Sequence, residues 1–125
     1  MAAFLPTIVN INPRSLYNKV DEFCTLVKME SVDVVLVSET WEREELPLKE
    51  VIKLENFEIV SDVHQRKGKG GRSAIMINKD KFTVKNLTNT DIQIPWGVET
   101  VWALLTPSNL PLNSSVKKIA CCAVS

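Results

Sequence analysis

Residues 33–38 read Asp-Val-Val-Leu-Val-Ser and lead directly into Glu39, Thr40 and Trp41. A strand made of this run would carry apolar side chains on both of its faces, which is typical of an interior strand in a covered sheet. We therefore predict a buried strand that ends immediately before an acidic side chain.

The residues before this run complete a βαβ pattern. Residues 5–10 predict a short strand, and Asn12-Pro13 supplies a turn that can open a helix. We predict that helix over residues 14–29, because apolar side chains recur there on one helical face, at Leu16, Val20, Phe23, Cys24 and Val27.

The βαβ pattern brings two polar side chains to one edge of the predicted sheet. A crossover helix joins parallel strands, and parallel strands end at the same edge. Asn10 and Glu39 each stand at the carboxyl end of their strand, so we expect them at the edge where open α/β sheets usually bind ligands.

The rest of the chain predicts mainly strands. A short second helix is expected around residues 48–54, after Pro47, and further strands at residues 57–60, 73–77, 82–84, 98–105 and 119–124. With no repeat, linker or low-complexity tract, residues 1–125 are predicted to form a single α/β domain around a mixed sheet.

The composition narrows the class of protein. Forty-five per cent of the 125 residues are apolar, which is enough for one core. Fifteen Lys and Arg balance fifteen Asp and Glu, so the formal net charge is zero. This balance excludes a histone-like polycation, and any nucleic acid must be bound by a local patch.

The number and positions of the cysteines and the N-terminal sequence indicate a reducing, intracellular compartment. Cys24, Cys121 and Cys122 are an odd number, and the last two are neighbours on a predicted strand, where their side chains point to opposite faces. We therefore predict no disulfide framework and a reducing compartment. With no signal peptide and no apolar run long enough to cross a membrane, we expect an intracellular protein of nucleus or cytoplasm without membrane contact.

Residues 64–72 form a basic, glycine-rich segment between two predicted strands. Its four fixed cations are Arg66, Lys67, Lys69 and Arg72, and we expect a mobile hairpin loop. A phosphate-binding P-loop would lead into a helix, so nucleoside triphosphate binding is disfavoured. Contact with a nucleic-acid backbone and a merely solvated turn are about equally favoured by charge alone. His64 is the only histidine, which excludes a metal site built on paired histidines.

Glu39 and Asn10 are the candidate metal ligands. A carboxylate fixed at a strand end can present oxygen to a hard cation such as Mg²⁺, and Asn10 would add an amide oxygen. From the residue types alone, two ordinary polar strand ends remain the better explanation.

Four blocks of sequence, in order, resemble the N-terminal blocks of the endonuclease/exonuclease/phosphatase family. They are Asn-Ile-Asn-Pro-Arg-Ser-Leu at 10–16, Asn-Lys-Val-Asp-Glu-Phe at 18–23, Val-Asp-Val-Val-Leu-Val-Ser-Glu-Thr-Trp at 32–41 and Gly-Gly-Arg-Ser-Ala-Ile-Met-Ile at 70–77. Within that family the chain is most similar to the apurinic-type endonuclease of retrotransposons that lack long terminal repeats.

The resemblance implies half of a two-sheet α/β sandwich, with a mixed sheet, a βαβ start and helices on one face. It implies a DNA phosphodiester cut with Mg²⁺, with Glu39 as metal ligand and Asn10 helping to set the metal and phosphate site. Arg14 and the four cations of residues 64–72 are then the expected contacts to DNA.

The resemblance covers only the N-terminal half of the family domain. The tyrosine of the central strand, the Gly-Asp-x-Asn block and the Ser-Asp-His block have no counterpart in these residues. We therefore expect the chain to be inactive alone, with an apolar sheet face left uncovered and buried in a homodimer. A non-catalytic module that self-associates or binds DNA is the alternative, and a structural protein without a nucleic-acid role is a third.

Overall fold

The computed structural model describes residues 6–61, 71–87, 100–108 and 118–124. It contains seven strands and two α-helices within these ranges. In chain order they are β1 (Ile8–Ile11), α1 (Val20–Met29), β2 (Val34–Val37), α2 (Leu48–Val51), β3 (Phe57–Ser61), β4 (Ala74–Asn78), β5 (Phe82–Asn86), β6 (Thr100–Pro107) and β7 (Ile119–Val124). A single 3₁₀ turn at Tyr17–Lys19 precedes α1.

The predicted βαβ start is confirmed. Strands β1 and β2 pair in parallel, with Ile11 opposite Val37, and α1 connects them. The predicted helix start at residue 14 was too early. Arg14 and Ser15 adopt left-handed φ angles of 49° and 75°, and the Ser15 N–H donates to the Glu39 carbonyl instead of entering a helix.

The first sheet is mixed and has the order β1-β2-β4-β3. Strand β4 runs antiparallel to both β2 and β3, so β3 and β4 form the antiparallel pair expected on either side of the basic segment. One face of this sheet packs against α1 and the residues around α2. The shared core includes Phe23 and Val27 of α1, Leu48 of α2, and Val35 and Met76 of the sheet.

A second, three-stranded antiparallel sheet of order β5-β6-β7 covers the other face of the first sheet. Val34 and Ile75 of the first sheet share a core with Val101, Leu105 and Ala123 of the second. The expectation of an uncovered apolar face on the first sheet was therefore wrong, because β5 to β7 already bury it. The architecture is the predicted α/β sandwich half, with the helices on one face.

Neighbouring cysteines on β7 confirm the predicted alternation. Cys121 is buried between the two sheets, whereas Cys122 is half-buried on the outer face of the second sheet and pairs across the strands with Trp102. Of the two thiols, Cys121 alone packs in the core. All three cysteines are free, and burial raises the pKa of the Cys121 and Cys122 thiols.

A buried carboxylate sets the position of β1 against β2. Asp33 is almost fully buried, and its Oδ2 accepts a hydrogen bond of 2.9 Å from the Thr7 N–H. Its Oδ1 lies 3.0 Å from Nζ of Lys81, at the start of β5. Asp33 therefore links the residues just before β1 and β5 at the amino end of β2. The carboxyl ends of β1 and β2 lie side by side at the opposite edge of the sheet.

Neither helix within the described residues is long and apolar enough to cross a lipid bilayer.

Candidate functional site

The segment Glu39-Thr40-Trp41 forms the rim beyond the carboxyl end of β2. On one side, Ser15 and Leu16 donate backbone hydrogen bonds of 2.9 and 3.0 Å to the carbonyls of Glu39 and Thr40. On the other side, Thr40 and Trp41 donate bonds of 3.1 Å to the carbonyls of residues 72 and 71. The rim backbone is therefore held from both flanks, and the Thr40 side chain is fully buried.

Backbone strain concentrates at this rim. Six non-glycine residues among those described have positive φ, and five of them line the rim: Arg14, Ser15, Glu39, Trp41 and Arg72. A left-handed conformation costs a residue with a Cβ roughly 1–2 kcal/mol, and such outliers cluster at functional sites. The concentration of strain at one edge marks this edge as the functional candidate.

The Glu39 carboxylate accepts hydrogen bonds from N–H groups of two described residues, Trp41 and Gly71. Its Oε2 accepts a hydrogen bond of 2.8 Å from the indole Nε1 of Trp41 and one of 3.3 Å from the backbone N–H of Gly71. The side chain is half-buried. A carboxylate held in this way keeps one fixed orientation at the sheet edge, which a cation site requires.

Asn10 lies on the neighbouring parallel strand, as predicted, and pairs in register with Leu36. Its side chain is exposed and makes no hydrogen bond to any other described residue. Val9 and Ile11 pack towards the helices, so Asn10 projects from the opposite face of β1. Its amide is therefore available to a ligand at the carboxyl end of the sheet.

These donors suit Mg²⁺ better than a transition metal. Mg²⁺ keeps several waters and is commonly held by one or two carboxylates together with substrate phosphates. Glu39 supplies one oriented carboxylate, and Asn10 supplies an amide on the adjacent strand. Across the described residues, no three His, Cys, Asp or Glu side chains form a metal cluster. A Mg²⁺ ion bound here would neutralise negative charge on phosphate oxygens.

The predicted DNA-contacting cations divide into three groups. Arg14 is exposed beside the rim, and its backbone N–H donates to Oδ1 of Asn12 at 3.3 Å. Arg72 is 5% exposed, so the expectation that it extends from an open loop was wrong: its backbone joins the rim and its side chain is enclosed. Arg66, Lys67, Lys69 and the nearby His64 lie outside the described residues.

Glu42 is a buried acidic residue that no sequence pattern distinguishes. Its Oε2 accepts a hydrogen bond of 2.8 Å from the Leu48 N–H at the start of α2, and its own N–H donates to Oγ1 of Thr40. Its Oε1 is buried and makes no hydrogen bond within the described part of the chain. Residues 39–50 contain five glutamates, and the sequence alone does not indicate that Glu42 is the buried one.

Tyr17 braces the loop that follows the rim. Its hydroxyl donates to the Leu46 carbonyl at 2.6 Å and accepts from the Arg43 N–H at 2.9 Å. The Arg43 guanidinium lies 4.7 Å from the centre of the Tyr17 ring, a cation–π contact. Burial raises the pKa of the Tyr17 phenol. These contacts fix the course of the chain just after Trp41.

Comparison of the chain with protein-family models and with curated proteins found no match.

Proposed function

We propose that this chain is the N-terminal half of a Mg²⁺-dependent DNA endonuclease of the retrotransposon type, within the endonuclease/exonuclease/phosphatase family. Its rim binds Mg²⁺ and a DNA phosphate through Glu39 and Asn10. Arg14, Arg66, Lys67 and Lys69 add contacts to the DNA backbone. The order and spacing of the four sequence blocks support this assignment.

The observation that carries the proposal is the fixed carboxylate of Glu39. It stands beside the end of a parallel neighbour strand, is oriented by Trp41 and Gly71, and sits in the most strained stretch of described backbone. The strained backbone and the donors from Trp41 and Gly71 support a functional role for this carboxylate.

Binding without turnover is the expected behaviour of these 125 residues. An in-line hydrolysis needs a group that activates water as well as a metal that stabilises the phosphate. Neither a Gly-Asp-x-Asn nor a Ser-Asp-His block occurs in the sequence. We therefore expect the chain to bind DNA more tightly with Mg²⁺ and to leave a plasmid uncut.

The test is DNA affinity, by fluorescence anisotropy, with Mg²⁺ and with EDTA. Wild type should bind more tightly with Mg²⁺, and both Glu39→Gln and Asn10→Ala should reduce that gain. Glu58→Gln is a matched control, because Glu58 is an exposed carboxylate on β3. A gain of the same size in wild type and Glu39→Gln would remove Glu39 from the site. Plasmid nicking that Glu39→Ala abolishes would show turnover as well.

A second candidate is a non-catalytic module that forms a homodimer. The observation that favours it is the outer face of the second sheet, where Trp102, Leu104 and Cys122 are half-buried and Ala120 and Val124 are exposed. Within the described residues β7 pairs only with β6, so its other edge presents free backbone groups. A second copy could pair along this edge about a two-fold axis, which would satisfy these backbone groups and continue the apolar face across both copies.

Light scattering coupled to size-exclusion chromatography tests the dimer. A dimer at micromolar concentration that Val124→Lys converts to a monomer would support pairing at β7. Lys85→Glu on β5, at the opposite edge of the same sheet, is the control and should leave the dimer intact. A clean monomer for the wild type would contradict this candidate.

A further inference from the structure

Trp41 is a large aromatic side chain displayed at the rim. It is 41% exposed, although the residue before it, Thr40, is fully buried. A single exposed apolar residue is ordinary on a protein surface. Trp41 differs because both its backbone and its side chain are fixed in place.

Three features fix Trp41. Its backbone N–H donates to the Gly71 carbonyl at 3.1 Å, and its φ is 58°. Its indole N–H donates to Oε2 of Glu39 at 2.8 Å. The polar edge of the indole is therefore satisfied within the protein, so what remains for a ligand is the apolar face of the ring. Since the ring is already ordered, a ligand that stacks on it loses little additional conformational entropy.

The charges around Trp41 select the part of a nucleotide that can approach the ring. Glu45 follows it closely and is exposed, and Arg43 is held over Tyr17. A carboxylate with no metal to bridge it repels phosphate oxygens, so Glu45 disfavours approach of the nucleic-acid backbone to the surface just after Trp41. A nucleobase carries no such charge, and its π-face stacks on an aromatic ring regardless of sequence.

We propose that Trp41 is a stacking platform for an unpaired nucleobase next to the metal site proposed at Glu39. This inference rests on the proposed function and adds the class of substrate. Bases inside a duplex are stacked on their neighbours and offer no free face. The preferred ligand is therefore DNA with an unstacked nucleotide, as in a single strand, at a bulge or opposite a missing partner.

The test measures binding of a labelled single-stranded oligonucleotide by anisotropy in EDTA, so that no metal contributes. Trp41→Leu should weaken binding about 10-fold, the size expected for the loss of one stacked base. Trp41→Phe keeps an aromatic ring and should stay within about 3-fold of wild type. Met29→Ala removes another exposed apolar side chain, at the end of α1, and should bind as wild type does.

Two further readouts separate stacking from charge and from misfolding. The slope of log affinity against log salt should be the same for Trp41→Leu and wild type, because stacking releases no counterions. An oligonucleotide with abasic positions in place of its bases should bind wild-type protein more weakly than the intact strand. This second readout alters the DNA alone, so it holds even where Trp41→Leu fails to fold.

The proposal is overturned if Trp41→Leu binds the intact strand as wild type does, or if abasic and intact strands bind wild type equally. Failure of the Glu39 function is distinguishable: in that case Mg²⁺ has no effect while the Trp41-dependent preference for intact bases persists. Wild-type protein that binds no single-stranded DNA at all would overturn the stacking platform and leave Trp41 as a surface for a protein partner.

Discussion

The backbone N–H of Gly71 donates a hydrogen bond of 3.3 Å to Oε2 of Glu39, joining two residues that lie 32 positions apart in the chain. Gly71 is the next-to-last residue of the basic segment, and Glu39 follows β2 by two residues. The end of the basic segment therefore lies against the Glu39 carboxylate. Because Gly71 has a φ of 66°, a conformation that glycine adopts readily, the N–H can turn towards the carboxylate without strain at that residue.

Because the rim backbone is strained, a glycine substitution there should stabilise the fold and weaken DNA binding. Arg14 is exposed and has a φ of 49°, so Arg14→Gly should raise the free energy of unfolding by about 0.5–1 kcal/mol. The same substitution removes a cation from the proposed DNA surface and should weaken DNA binding. Chemical denaturation and anisotropy measure the two effects separately.

Ser31 is the matched control for Arg14. It is exposed just beyond the end of α1 with a φ of 51°, away from the rim, at a position where helices favour glycine. Ser31→Gly should give a similar gain in stability with no change in DNA affinity. If Arg14→Gly binds DNA as well as Ser31→Gly does, Arg14 is not a contact.

Removal of the Tyr17 hydroxyl should destabilise the loop after the rim. Tyr17→Phe loses the hydrogen bonds to Leu46 and Arg43, and we expect the free energy of unfolding to fall by about 1–2 kcal/mol near pH 7. The difference should depend on pH, since burial raises the phenol's pKa above its ordinary value of 10.0. The stability due to the protonated phenol is fully present below that ordinary value and is lost as pH rises through the higher pKa of the folded protein.

Urea denaturation of wild type and Tyr17→Phe from pH 8 to pH 11 measures this effect. The gap between the two proteins should stay constant up to about pH 10 and narrow above it. A gap that widens in alkaline solution would show that the ionised phenol is stabilised in the folded protein, contrary to its burial.

The basic segment should supply charge contacts to DNA rather than base contacts. Arg66→Ala with Lys69→Ala should lower affinity for duplex DNA and reduce the slope of log affinity against log salt by about 1.8, for two lost phosphate contacts. Lys28→Ala with Lys79→Ala removes the same charge from exposed positions at the end of the sheet away from the rim. An equal loss in both double variants would mean that only net charge matters.

The pattern of apolar residues predicted a strand well where both of its faces are buried, as in β2, or where buried and exposed side chains alternate, as in β7. Strand β7 has the predicted bounds, and the valine run of β2 lies inside the first sheet as expected. The start of α1 was missed because Ser15 and Leu16 donate to the rim carbonyls of Glu39 and Thr40, a tertiary contact that no local pattern reports. Burial of Arg72 was missed for the same reason, since charge and neighbouring glycines favour an open loop.

The candidate site was predictable only in part. The βαβ pattern correctly predicts that β1 and β2 are parallel neighbours, so Asn10 lies on the strand next to the one that leads into Glu39. The donors that orient Glu39 depend on the positive φ of Trp41 and on the course of the chain at Gly71. The burial of Glu42 could not be predicted from the sequence, because it depends on the hydrogen bond that its carboxylate accepts from Leu48 at the start of α2.

Mn²⁺ titration of the ¹⁵N-labelled protein, followed by NMR, tests the metal site most directly. Mn²⁺ favours the same oxygen ligands as Mg²⁺ and broadens the signals of nearby amides. We expect broadening centred on Glu39, Trp41, Gly71 and Asn10 in wild type, competed by Mg²⁺ and abolished in Glu39→Gln. Equal broadening in Glu39→Gln, or broadening centred on another part of the protein, would contradict a metal site at Glu39.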